Sequence, residues 1–152
     1  MTTKLKRILL AEDNEHDVEL TLNALSENRL ANEVVVVRDG AEALDYLYRR
    51  GPFQAREEGN PVVVLLDLKM PKVDGLEVLR QIKGDASLRQ IPVVMLTSSR
   101  EENDLIESYR LGVNAYVVKP VEFGSFVQAV GEIGVFWAVI NEAPPGSVGK
   151  SS

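Results

Sequence analysis

Cysteine is absent from the 152-residue chain, which excludes disulfides, thiolate catalysis and zinc–thiolate sites. Histidine occurs once, as His16. A catalytic base there would need a poising partner, and the surrounding sequence supplies none, so His16 is read as an exposed helix residue. Long apolar runs are also missing. No segment reaches the roughly 20 residues of a membrane-spanning helix, and the basic stretch Met1–Arg7 lacks the apolar centre of a signal peptide. Nor is there a surplus of positive charge. Seventeen Lys and Arg stand against 23 Asp and Glu, for a net charge of −6. That balance argues against DNA or an anionic membrane as partner, and a cytoplasmic location is the expectation.

What is present is enough apolar side chain, 45% of the sequence, for one hydrophobic core. The most informative stretch is Val62-Val63-Val64-Leu65-Leu66-Asp67. Its unbroken apolar run reads as a strand buried on both faces, and Pro71 prevents its continuation beyond Asp67. Arg7–Ala11 is a first strand running into Glu12-Asp13, and Glu33–Val37 is a second. Val93–Leu96, preceded by Pro92 and ending on Thr97, is a fourth, and Ala115–Val118, ending on Lys119-Pro120, a fifth.

Helical spacing fills the gaps between strands. Val18, Leu22 and Leu25 recur at that spacing, with Glu15 and Asp17 in the first turn, where the helix dipole favours acids. Asp39-Gly40-Ala41-Glu42 and Asp74-Gly75-Leu76-Glu77 are capping boxes, and Ser99–Glu102 is a third. Leu105, Ile106 and Tyr109 mark the apolar face of the fourth helix, which Gly112 closes. A last helix runs from near Glu122 to about Ile140. Residues 51–61 form a polar connector read as a solvated loop, and the breaker-rich tail from Pro144 is expected to be mobile. Such alternation implies an α/β fold, a doubly wound parallel sheet with helices on both faces. The expected organisation is a single domain over 1–152, with its core at about 5–140 and a tail at 141–152.

The strand ends carry the chemistry. In an open parallel sheet, ligands meet the chain just beyond the carboxyl ends of the strands. Those ends present Glu12, Asp13, Asp67, Thr97 and Lys119. Three carboxylates brought together repel one another unless a cation sits among them, and oxygen donors suit Mg²⁺. A nucleophilic carboxylate, a hard cation, a hydroxyl and an ammonium together can handle a phosphoryl group.

These residues, with Asp67-Leu68-Lys69-Met70-Pro71, Asp74-Gly75, Thr97-Ser98 and Lys119-Pro120, resemble the receiver domain of two-component response regulators. The resemblance spans roughly residues 5–140 and implies the flavodoxin-like five-stranded sheet in the order 2-1-3-4-5. It also implies Asp67 as the phosphoacceptor, Glu12 and Asp13 as the acids holding Mg²⁺, and a metal contact from the backbone carbonyl of Lys69. Thr97 and Tyr116 take the positions of the switch pair, and Lys119 that of the lysine pairing with phosphate. The same resemblance implies a cis Lys119–Pro120 bond. The function implied is that of a signalling protein rather than an enzyme, one that assists its own phosphotransfer and dephosphorylation, with a sensor histidine kinase as partner. The 51–61 connector and the Phe136-Trp137 ending resemble small regulators paired with phytochrome kinases. No DNA-binding segment is recognisable after the last helix.

The rival readings fare less well. A haloacid-dehalogenase-type phosphatase needs an acid two residues after its nucleophile, where this chain has Lys69. A flavin site needs a phosphate-cradling loop after the first strand, and Glu12-Asp13 stand there instead. A receiver-like binding module that is never phosphorylated predicts no Mg²⁺-dependent change. A homodimer through the last helix is expected from its pattern. Phe126, Val130, Ile133, Trp137 and Ile140 form one stripe, and Val135, Phe136 and Val139 lie off it.

Overall fold

Parallel pairing of five short strands organises the molecule. The structure, a computed structural model, describes residues 7–26, 33–56, 59–97 and 102–132, the side chains of 102–105 excepted. The strands are β1 (Arg7–Ala11), β2 (Glu33–Val37), β3 (Val63–Asp67), β4 (Val93–Thr97) and β5 (Ala115–Val118). They form one sheet in the order β2-β1-β3-β4-β5, the flavodoxin-like arrangement expected. Between and after them run α1 (Glu15–Ser26), α2 (Gly40–Tyr48), α3 (Gly75–Gly84), α4 (Glu102–Arg110) and α5 (described over Phe123–Glu132).

Strand periodicity divides the core into two layers. Leu9, Ala11, Val64, Leu66 and Met95 face one side, where Leu44 and Leu47 of α2 and Leu79 and Ile82 of α3 pack. Ile8, Leu10, Val63, Leu65, Val94 and Leu96 face the other, against Leu25 of α1 and Phe126 and Val130 of α5. Because both faces of β1, β3 and β4 are covered, their sequences are apolar throughout rather than alternating. Each fully buried Leu or Val on these strands contributes about 1.5–3 kcal/mol of burial.

Local signals set the helix starts. Asp39 accepts a hydrogen bond from the Glu42 amide at 2.7 Å, and Asp74 one from the Glu77 amide at 2.9 Å. Each side chain thereby satisfies an amide that a helix start leaves orphaned. Of the third capping box, Ser99, Arg100 and Glu101 lie outside the described residues.

Two expectations need correction. Ile106 and Tyr109 do not face the core: they are 58% and 53% exposed, while Ser108 of the same helix is fully buried. The stripe of large apolar residues on α4 thus points to solvent and a small hydroxyl side chain points in, an inversion that periodicity alone cannot detect. Leu105 lies outside the side chains described. The connector after α2 is not simply solvated either. It opens with a 3₁₀ turn at Gly51–Phe53, and the Phe53 ring packs edge-on to Tyr46, with centroids 5.2 Å apart. Arg56 sets its guanidinium 4.1 Å from the Tyr46 ring centroid and donates to the Tyr46 carbonyl at 2.7 Å. Ile133, Val135, Phe136, Trp137, Val139, Ile140 and the tail lie outside the described residues.

Candidate functional site

Register builds the site. Ala11 pairs with Leu66, so the next residues along the two strands, Glu12 and Asp67, emerge side by side. Asp67 pairs with Leu96, and Thr97 with Val118, which places Thr97 and Lys119 progressively further along the same edge. Carboxylate oxygens of Glu12, Asp13 and Asp67 all lie within 4.8 Å of one another. With Asn14, Asp17, Leu68, Lys69, Thr97 and Lys119 they line a cavity of about 200 Å³.

One ammonium serves several of these acids. Lys119 Nζ donates to Glu12 Oε1 at 2.9 Å and to Asp17 Oδ2 at 2.9 Å, and it lies 3.1 Å from Asp67 Oδ1. Burial lowers the pKa of this lysine, but its hydrogen bonds to Asp17 and Glu12 and the charge of Asp67 outweigh that and raise it above the usual value. Asp67 is held the other way. Burial first, then the negative charge of Glu12, push its carboxyl up to about 7, against the pull of Lys119. Lys119 is thus shared by three carboxylates, with the Asp13 carboxylate close to two of them.

The loop after β3 closes over Asp67 because two glycines allow it. A Cβ on Gly75 would sit 2.3 Å from the Asp67 carbonyl oxygen, and one on Gly40 would sit 1.8 Å from that of Val73. Gly75 N–H donates to the Leu68 carbonyl at 2.9 Å, tying the start of α3 to the strand end. The Lys119–Pro120 bond is cis, as the resemblance implies, and the Lys119 amide donates to the Thr97 carbonyl at 2.8 Å.

Most of the residues expected at the site are gathered there. Glu12, Asp13, Asp67, Lys69, Thr97 and Lys119 line one cavity. Tyr116 does not: it is 40% exposed on β5, its ring edge-on to Tyr109 at 6.2 Å. Two contributors were not legible as site residues, Asp17 and Asn14. Asn14 Oδ1 accepts from the Asp17 amide at 2.9 Å and so caps α1, while its own amide donates to Glu12 Oε2 at 3.2 Å. The signal for Asp17 lay in helix geometry. Helical side chains tilt toward the N-terminus, so an acid in the first turn leans back over the strand end it follows.

The donor set fits a hard divalent cation. Three carboxylates, one of them the exposed Asp13, present oxygens close enough to share an ion, with no softer ligand among them.

Comparison with known proteins agrees with this geometry. Residues 8–131 match the response regulator receiver domain family. The solved structure of the bacteriophytochrome response regulator RtBRR is 66% identical, with a TM-score of 0.83, covering 96% of this chain and 88% of that one. The phosphorylated cyanobacterial phytochrome response regulator RcpA is 41% identical, with a TM-score of 0.74, covering 94% of this chain and all of that one. The response regulator Rcp1 of Synechocystis sp. is 39% identical over 132 residues, 87% of this chain and 88% of that protein. Its structure has been solved in a Mn²⁺-bound form, with a TM-score of 0.73 over 93% of this chain and 99% of that one. The family match runs from the second residue of β1 into the last described turn of α5, and it spans every strand end that lines the acidic cavity. The chain belongs to the response regulator receiver domain family.

Proposed function

We propose that the protein accepts a phosphoryl group on Asp67 from the phosphohistidine of a sensor histidine kinase of the phytochrome type. The observation that carries this reading is a buried strand-end carboxylate flanked by two acids and an ammonium in one small cavity. Asp67 Oδ forms a bond to phosphorus as the phosphorus–nitrogen bond breaks, and its electron pair returns to the imidazole, which takes up a proton. Glu12, Asp13, Asp67 and the Lys69 carbonyl would hold Mg²⁺, which when bound supplies neutralisation of the charge gathering on the phosphoryl oxygens. Lys119 orients one side of the group, and the Thr97 hydroxyl donates to another oxygen. With Thr97 drawn inward, Tyr116 is the aromatic placed to follow it, two strand positions before the Thr97 partner Val118.

The phytochrome-type partner is supported by the likeness to RtBRR, RcpA and Rcp1. We also assign the protein one domain with its core at 5–140, a cytoplasmic location and a homodimeric state. No helix among the described residues is long and apolar enough to cross a membrane. The dimer reading is supported by exposed Ile106, Tyr109, Tyr116 and Val118 beside the last helix.

The test is intact mass after incubation with acetyl phosphate and Mg²⁺. The native protein gains one phosphoryl group, and Asp67→Asn gains none. Equal labelling of that variant would place the acceptor elsewhere. Release of phosphate from a phosphate ester would instead favour the phosphatase reading.

A further inference from the structure

Asp17 stands outside the receiver constellation, yet it holds one of the three hydrogen bonds that an ammonium can donate. Lys119 Nζ reaches Glu12 Oε1 at 2.9 Å, Asp17 Oδ2 at 2.9 Å and Asp67 Oδ1 at 3.1 Å. Its donors are thereby fully used, and its side chain is only 8% exposed.

The position of Asp17 makes this contact unusual. Asp17 is the third residue of α1, where an acid ordinarily reaches back to the amide of the capping residue. Here that amide, on Asn14, donates to Glu12 Oε2 instead. With the cap satisfied by Glu12, the Asp17 carboxylate is released to Lys119. Asn14 in turn fixes the Asp17 backbone through its side-chain oxygen at 2.9 Å. The local sequence Glu12-Asp13-Asn14-Glu15-His16-Asp17 thus builds a second carboxylate holder for the lysine.

We infer that Asp17 is a positioning residue that competes with the phosphoryl group for Lys119 and so limits how long the phosphorylated state lasts. The inference rests on the assignment of Asp67 as acceptor. A phosphoryl group on Asp67 brings new acceptor oxygens, and Lys119 has no spare N–H to meet them. It must release a partner. Glu12 is fully buried, so water cannot replace the lysine on Oε1, and leaving that buried oxygen without its ammonium is costly. Asp17 is 27% exposed, and water can take the vacated place on Oδ2. The exchange is therefore cheapest at Asp17, and the strength of that pair sets how firmly Lys119 holds the phosphoryl group. Loss of the group is hydrolysis. Water adds to phosphorus, the bond to the Asp67 oxygen breaks with its electron pair returning to the carboxylate, and inorganic phosphate leaves with the protons of the water.

The experiment measures the half-life of the phosphorylated protein after acetyl phosphate is removed, and the donor concentration for half-maximal labelling. Asp17→Asn keeps the size and removes the charge. It is expected to lengthen the half-life about three- to fivefold, the range that loss of a partly exposed ion pair allows. It should also lower the half-maximal donor concentration. Asp17→Ala, a second removal of the carboxylate, should shift both in the same direction, and Asp17→Glu should move them back toward native. In a Lys119→Met background, Asp17→Asn should change neither, because the residue acts only through the lysine. An unchanged or shortened half-life in Asp17→Asn and Asp17→Ala overturns the inference, as does an equal effect without Lys119. Labelling of Asp67→Asn overturns instead the assignment on which it rests.

Discussion

The acidic edge and the α4–β5 side of this molecule are built on opposite terms. At the edge, Asp67 ends a strand whose every residue is buried, Lys119 spends its donors on carboxylates, and the loop above is pressed so close that no Cβ fits at Gly75. On the α4–β5 side the large apolar residues Ile106, Tyr109, Tyr116 and Val118 are exposed, and β5 alternates buried with exposed residues at the margin of the sheet. The first region is closely packed, and the contact in it that can be exchanged is the Lys119–Asp17 pair. In the second, large side chains have room to move. A phosphoryl group adds charge at the closely packed edge, and the surface change is expected on the side whose large residues are exposed.

The largest effect that sharpens this contrast is expected from Gly75→Val. Its Cβ would fall 2.3 Å from the Asp67 carbonyl oxygen, so α3 or the strand end must shift. Denaturant unfolding should show a loss of about 4 kcal/mol. A near-native midpoint would mean that the edge is softer than its packing indicates.

Next is the response of the metal-free protein to pH. The Asp67 carboxyl is raised from 3.8 to about 7 by burial and by Glu12. Between those values the folded state therefore carries more protons than the unfolded one, and stability falls as pH rises through that window. The resulting destabilisation, on the order of 4 kcal/mol, is fully present above that window and absent below it. Asp67→Asn should lose most of this slope in a chelator-containing titration. An unchanged slope would contradict the crowding of charge at the edge.

A divalent cation should counter the same repulsion. At ten times its dissociation constant, Mg²⁺ should stabilise the native protein by about 1.4 kcal/mol. Asp13→Ala, which removes the exposed carboxylate of the cluster, should lose most of that gain in thermal unfolding. Equal stabilisation of the two proteins would move the metal elsewhere. The smallest effect belongs to the other region. Ile106→Ser should change stability by no more than about 0.5 kcal/mol, because that side chain is already in solvent.

The sequence made the edge legible because strands buried on both faces are short, apolar and abruptly ended. Val62–Leu66 announces both the strand and the residue it delivers, and parallel register then fixes which strand ends are neighbours. α4 was illegible for the opposite reason. Ile106 and Tyr109 have the spacing of a core stripe, but whether a stripe faces the sheet or the solvent depends on how the helix is docked, and its one residue known to be buried there, Ser108, carries no hydrophobic signal. Asp17 was hidden by a sufficient ordinary explanation, since an acid in the first turn of a helix already has a favourable dipole to account for it. Only the diversion of the Asn14 amide to Glu12 shows that its carboxylate is free for Lys119. The ordered connector was missed because Arg56 anchors through a ring face and a backbone carbonyl, contacts that composition does not encode.

The most direct test of the central claim, that phosphorylation at a rigid edge is read on the α4–β5 side, is residue-resolved amide hydrogen exchange with Mg²⁺, with and without acetyl phosphate. In the native protein, exchange should change at α4 and β5 while β1 and β3 keep their protection. Thr97→Ala should accept the phosphoryl group yet lose most of the distant change, and Asp67→Asn should show none. A phosphorylated native protein whose α4 and β5 exchange as before, or a Thr97→Ala variant with the full native change, would contradict the account.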